Sequence, residues 1–343
     1  MGLRPGRAGL AALLLGLAWA TAAAAGEAQP RRRGPIELRD EWLLSQMRLT
    51  LPAQSPELLA PGATRFRLNL DWGNDFGWDQ SVRGEQPSDR RFLVDGEHRT
   101  LGFELRRGLG SGIEAGARLP LRWRGPGILD GMIDAFHVVT LRLGLPDNGR
   151  SSFLKNRFRV LGRDAAGAEV VWHGEPGTGL GNLELDLRWA PGRGAAPRRW
   201  AIAGAVTLPT GTGAFEAGGL EAGLQFLGVV PLAASLDLYG GLGGTVFGDT
   251  ELAGIEYERF RCAGFVVVEW RPARAASLLV ELNGASRLVT NLARYPGVQS
   301  YLRIGAKLDL PHRMGLEAGF TENLVDQQAT TDFGAFLGVT RRF

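Results

Sequence analysis

Side chains able to do chemistry are few in this chain of 343 residues, which holds four histidines and one cysteine. Asp130, Asp134 and His137 fall at i, i+4 and i+7, so a helix there would bring two carboxylates and an imidazole within reach of one cation. An ordinary solvated helical face has the same spacing, and the pattern lacks the selectivity of His-Glu-x-x-His. The three stand as candidate ligands only, and no resident metal or other cofactor is expected. Nucleophilic catalysis would need a serine beside a histidine. Ser286 has no histidine two residues away, and His98, His137, His173 and His312 all lie off the apolar strand faces described below. No catalytic residue is assigned. The run Gly240-Gly241-Leu242-Gly243-Gly244 lacks the Lys-Ser or Lys-Thr of a phosphate loop and falls inside a strand, where glycine permits curvature and close strand contact.

The elements that would carry these residues are almost all strands. Beyond residue 62 apolar and polar residues alternate with period two: Phe66, Leu68, Leu70 and Trp72 interleave with Arg65, Arg67, Asn69 and Asp71. Leu183, Leu185, Leu187 and Trp189 interleave with Asn182, Glu184, Asp186 and Arg188 in the same way. The pattern predicts twelve strands, at 64–73, 99–107, 111–123, 181–190, 198–208, 219–230, 235–247, 259–270, 276–288, 300–310, 313–321 and 332–343. Most are near the roughly 9 to 11 residues that a tilted strand needs to cross a bilayer. Long connections at 74–98 and 124–180, and moderate ones at 209–218, 248–258, 289–299 and 322–331, alternate with short turns. That series predicts an up-and-down barrel with both termini on the short-turn, periplasmic side. Within the second long connection, Arg157 to Leu161 and Glu169 to Trp172 flank a turn-like Asp164 to Gly167 and suggest an extra hairpin.

The apolar parity of these strands is nearly free of charge; Arg341 sits on it beside the chain end, where a long side chain can snorkel. An Arg or Lys on a lipid face costs roughly 2 to 4 kcal/mol at the midplane, so that parity suits lipid. Trp72 and Trp123 at one rim, and Trp189, Trp200, Trp270 and Phe343 at the other, form the expected aromatic girdles. The opposite parity faces a lumen lined by Arg67, Asp71, Glu104, Arg118, Arg122, Glu184, Asp186, Arg188, Arg303 and Lys307, whose signs nearly balance.

Arg4 and Arg7, an apolar stretch from Ala8 to Trp19 and small residues to Ala25 have the layout of a secretory signal peptide over residues 1–25. Removing it takes the formal charge from +3 to +1, and no nucleic-acid partner is implied. The lone Cys262 cannot form an internal disulfide. No run of 18 apolar residues follows the leader, so no transmembrane helix is predicted. Residues 26–61 read as a periplasmic N-terminal arm, with Arg31, Arg32 and Arg33 on a solvated, flexible tether, and residues 62–343 as the barrel domain.

The final strand, with Phe333, Ala335, Leu337 and Val339 on the parity of the terminal Phe343, resembles the last strand of outer-membrane barrels. The resemblance implies recognition by the barrel-assembly machinery. Gly34-Pro35, Asp71-Trp72-Gly73-Asn74, Asp95-Gly96-Glu97 and Gly144-Leu145-Pro146-Asp147-Asn148-Gly149-Arg150 together resemble a proteobacterial envelope family known as domain of unknown function 3187. This likeness covers most of the mature chain and implies no activity.

One amphipathic helix is predicted over 127–143, with Ile128, Leu129, Met132, Ile133, Phe136 and Val139 on its buried face, as a plug in the mouth or a lid across the rim. The sequence thus reads as an all-β transmembrane barrel of the Gram-negative outer membrane, in contact with its lipid and acting on no reaction. The porin-like function read from it is a passive pore or small-solute channel. The alternative is a closed structural or partner-binding envelope barrel, and a third reading is an outer-membrane hydrolase.

Overall fold

The structure, a computed structural model, describes residues 31–79, 92–133, 135, 154–191, 199–216, 218–323 and 329–343. The leader expected over residues 1–25 lies outside these residues, as do Asp134 and the whole segment 136–153 with His137. The strands are β1 (Thr64–Trp78), β2 (Phe92–Gly110), β3 (Ile113–Gly125), β4 (Arg159–Arg163), β5 (Glu169–Val171), β6 (Gly177–Leu180), β7 (Leu183–Trp189), β8 (Trp200–Leu208) and β9 (Glu221–Ala233). They continue with β10 (Leu236–Val246), β11 (Glu251–Leu252), β12 (Ile255–Glu256), β13 (Phe260–Ala273), β14 (Ala276–Ser286), β15 (Val298–Leu310), β16 (Met314–Asn323) and β17 (Phe333–Arg342).

Among the described residues twelve of these, β1 to β3, β7 to β10 and β13 to β17, pair antiparallel with their neighbours, and β17 returns to β1 with Leu68 opposite Val339. The ring is a closed barrel without a free edge. Outward residues such as Leu105, Leu187, Leu224, Leu242 and Leu278 are exposed, as a lipid-facing surface requires, while the inward row is buried. The turn between β15 and β16 holds His312 and Arg313 both at φ 60°, the conformation that a type I′ hairpin turn demands. In β10 the predicted glycine run leaves room for rings: a Cβ on Gly241 would lie 2.3 Å from the Phe265 ring inside the barrel, and one on Gly244 would lie 2.6 Å from the Phe260 ring outside it.

The expected hairpin in the long connection is present as β4 and β5, and β4 also pairs with the start of β2. β1 and β2 run further than alternation predicts, up to the pair Trp78 and Leu93. They rise as an extension beyond Trp72 on the long-loop side, where β4 lies against β2. The helix begins against the outward face of that extension, which favours the rim over a plug. The Glu97 carboxylate accepts the Ile128 and Leu129 backbone N–H groups, and Asn74 Nδ2 donates to Asp130 at 2.9 Å. Its phase also differs from the prediction. Leu129, Asp130 and Ile133 are buried while Ile128 and Met132 are exposed, because the helix packs by the side that carries Asp130.

Among the described residues of the predicted strands, two charges besides Arg341 stand on the apolar parity. Arg99 and Arg107 share the outward parity of β2, at opposite ends of its lipid-facing stretch.

Candidate functional site: the lumen and its N-terminal segment

Residues 34–55, expected as part of a solvated arm, are enclosed by the barrel, and nearly all of them are buried. Their apolar content explains why: Ile36, Leu38, Trp42, Leu43, Leu44, Met47 and Leu49 would be costly to leave in water. The segment enters at the short-turn end, climbs the lumen, turns at residues 43–48 and descends to the end where it entered.

The wall residues mark the path. At the entrance Arg33 donates to Ser277 Oγ at 3.0 Å and Asp309 at 2.6 Å, and its backbone N–H reaches Glu269 at 2.9 Å. Higher up, Ile36 N–H donates to Glu281 at 3.1 Å, Lys307 donates to Pro35 O at 2.6 Å, and Arg67 donates to Glu37 O at 2.7 Å. Glu37 pairs with Arg65, Arg39 with Glu184 at 2.6 Å, and Asp40 with Arg261 at 3.2 Å. Glu41 meets Arg118 at 3.1 Å and Arg122 at 3.2 Å. Beyond the turn Arg48 pairs with Glu221 at 2.9 Å, Arg188 donates to Ser55 O at 3.0 Å, and Leu59 N–H reaches Glu114 at 2.7 Å.

The lumen is not uniformly polar. Ile36, Leu38 and Ala53 pack against an inward apolar patch that includes Ala203, Leu227, Val229, Tyr239, Phe265 and Val267. At the top of the hairpin Trp42, Leu43 and Leu44 join Phe92, Phe247, Leu288, Leu292 and Tyr295 in an apolar cap beneath the long loops. Trp42 Nε1 donates to the Tyr295 hydroxyl at 3.2 Å. Burial pushes the Tyr257 hydroxyl up to about 12 against the pull of Arg48 and Arg124, so the ring stays neutral and offers its face to the Arg48 guanidinium at 4.0 Å. Cavities beside the segment are small, about 80 Å³ near Arg31, Glu57 and Arg188 and about 40 Å³ near Glu37, Lys307 and Glu317. Each has room for a few water molecules and none for a sugar or larger solute.

Nine of the ten charges expected to line the lumen are buried and Lys307 is partly so, and Arg67, Arg118, Arg122, Glu184, Arg188, Arg303 and Lys307 each touch the segment. Glu104 instead pairs with Arg65 and Arg106, Asp186 with Arg106, and Asp71 lies 3.7 Å from His98, which Asp75 holds at 2.8 Å. Arg65, Glu114, Glu221, Arg261, Glu269, Glu281 and Asp309 also meet the segment. Alternation shows their inward parity, but a strand pattern carries no sign of the segment that meets them.

Trp189 and Trp200 meet edge to face with centroids 5.7 Å apart at the short-turn rim, where Trp270 stands near the end of β13 and Phe343 follows β17, and Trp72 and Trp123 stand at the long-loop rim. Of the candidate metal ligands, Asp130 faces Asn74 and the Asn156 backbone, and no metal-holding cluster occurs among the described residues. Ser286 Oγ accepts the Cys262 backbone N–H at 3.0 Å.

A closed, twelve-stranded, antiparallel ring with an apolar exterior has the fold of an outer-membrane β-barrel. The family model described as Protein of unknown function (DUF3187) matches residues 12–343, and the chain belongs to that family. No curated protein matches it. Among solved structures the chain is similar to the COG4313 outer membrane channel from Pseudomonas putida F1, at 15% identity and a TM-score of 0.56, covering 84% of this chain and 97% of that one. It is also similar to the translocator domain of the autotransporter NalP from Neisseria meningitidis, at 12% identity and a TM-score of 0.45, covering 83% and 90%. The first of these likenesses shows the fold.

Proposed function

We propose that the protein is an integral outer-membrane solute channel, shut at rest by its own N-terminal segment. One observation carries this reading: the segment fills the lumen without joining the sheet. Among the described residues, the backbone–backbone hydrogen bonds of residues 34–59 run only within the segment, as from Ser45 to Trp42 and Arg48 to Ser45, and side chains make its bonds to the wall. Because it enters and leaves by one end, the hairpin can withdraw while the twelve-stranded ladder stays closed. A structural strut would gain from ladder bonds, whereas a removable stopper must lack them.

Withdrawal does not happen freely. Burying Trp42, Leu43 and Leu44 stabilises the shut state by roughly 5 to 9 kcal/mol, so a standing passive pore is not the resting condition. Opening requires a ligand or partner that binds the withdrawn state better than the shut one. In this reading both termini face the periplasm, the long loops face outward, and β17 with Phe343 is the signal read by the barrel-assembly machinery.

The apolar cap favours one rival, a permanently closed barrel whose outer loops bind a partner. Gram-negative cells producing the chain without residues 34–55 separate the two. With the variant recovered folded from the outer-membrane fraction, the channel reading expects sensitivity to a bulky polar antibiotic that cells with the intact chain exclude. Equal resistance in both would favour the closed barrel.

A further inference from the structure

We propose that the long-loop rim carries a binding site for the phosphate of a lipid headgroup, built on Arg99 with Trp72 and Trp123. The three residues stand opposite one another on adjacent strands: Trp72 of β1 pairs with Arg99 of β2, which pairs with Trp123 of β3. All three share the outward parity, so the site is on the lipid side of the wall and is independent of the lumen segment.

The guanidinium lies 4.7 Å from the Trp72 ring centroid and 4.4 Å from that of Trp123. With an indole on either side, what the cation can still offer a ligand is the in-plane donors of its two terminal nitrogens. Arg99 Nε is buried without a hydrogen-bond partner, and the Arg99 contact with Glu97 is a long 3.9 Å. Glu97 is already committed, since it accepts Trp72 Nε1 at 3.0 Å and the Ile128 and Leu129 backbone N–H groups. The Arg99 side chain is 40% exposed. An outward arginine with such in-plane donors fits a phosphate or carboxylate bidentately.

The surroundings decide for a lipid. Two indoles at the end of an apolar strand face are the chemistry of a membrane interface. Above them Ile128 and Met132 expose 66% and 51% of their surface where the helix starts, next to the Glu97 that ties it to the wall. An acyl chain would lie along the strands below Trp72 and Trp123, at Leu70 and Leu121, while its phosphate meets Arg99.

The test is native mass spectrometry of the refolded full chain in maltoside micelles, titrated with phosphatidylglycerol. The site predicts one tightly retained lipid, lost roughly tenfold more readily in Arg99→Gln. Heat-modifiable migration must show that variant to be folded. Trp123→Leu, which keeps the charge and uncovers one face of the guanidinium, is the second variant and should weaken retention severalfold. Inorganic phosphate alone should bind far more weakly than the lipid. Equal lipid retention in wild type and both variants overturns the site, and inorganic phosphate binding as tightly as the lipid overturns its assignment to lipid.

Discussion

At the residue scale the seal depends on wall side chains that reach the backbone of the segment, and Arg303 does so twice. Its guanidinium donates to Leu38 O at 3.1 Å and Arg39 O at 2.6 Å while also touching Glu281 at 3.2 Å. Arg303→Met would leave a buried carboxylate and two carbonyls without that donor, a change of about 3 to 5 kcal/mol when one member of a buried pair is removed. Trypsin should then cut after Arg39 or Arg48 in the folded barrel about a hundredfold faster than in the wild type; an unchanged cleavage pattern would show that the segment is held by other means. Parity puts Arg303 and the other nine named charges on one face of the sheet, because side chains alternate strictly along a strand. It could not reveal their partners. The missed signal was local: Ile36, Leu38, Trp42, Leu43, Leu44 and Leu49 make residues 34–55 too apolar for a solvated tether.

At the scale of elements the sequence was most legible where lipid lies on one side and the lumen on the other, since that difference imposes the period. Ten of the twelve barrel strands lie within about three residues of their expected limits, while β1 and β2 run past theirs. Alternation lost its force at the tops of β1 and β2, where the outward residues Asn74, Asp95 and Glu97 are polar and meet the helix or its neighbours instead of lipid. The helix was legible in place but not in phase, because apolar spacing alone could not show that Asn74 would draw Asp130 to the buried side. Its start lies outside the wall, so deleting residues 126–145 should leave bilayer conductance at the level of the intact protein, provided the barrel still folds. Current steps appearing on that deletion would return the helix to the role of a plug.

For the whole molecule, a ring of twelve strands has room for a lumen, and the lumen is taken up by the chain itself. An ion-paired middle and apolar contacts at two levels hold the segment, yet among the described residues no ladder bond ties it to the sheet. The arrangement combines a tight resting seal with a route for withdrawal. The most direct measurement is single-channel conductance in planar bilayers of refolded protein with and without residues 34–55, both verified as folded barrels. The account predicts silence from the intact chain and discrete, salt-dependent steps from the deletion. Steps of equal size from both, or silence from both, would contradict it.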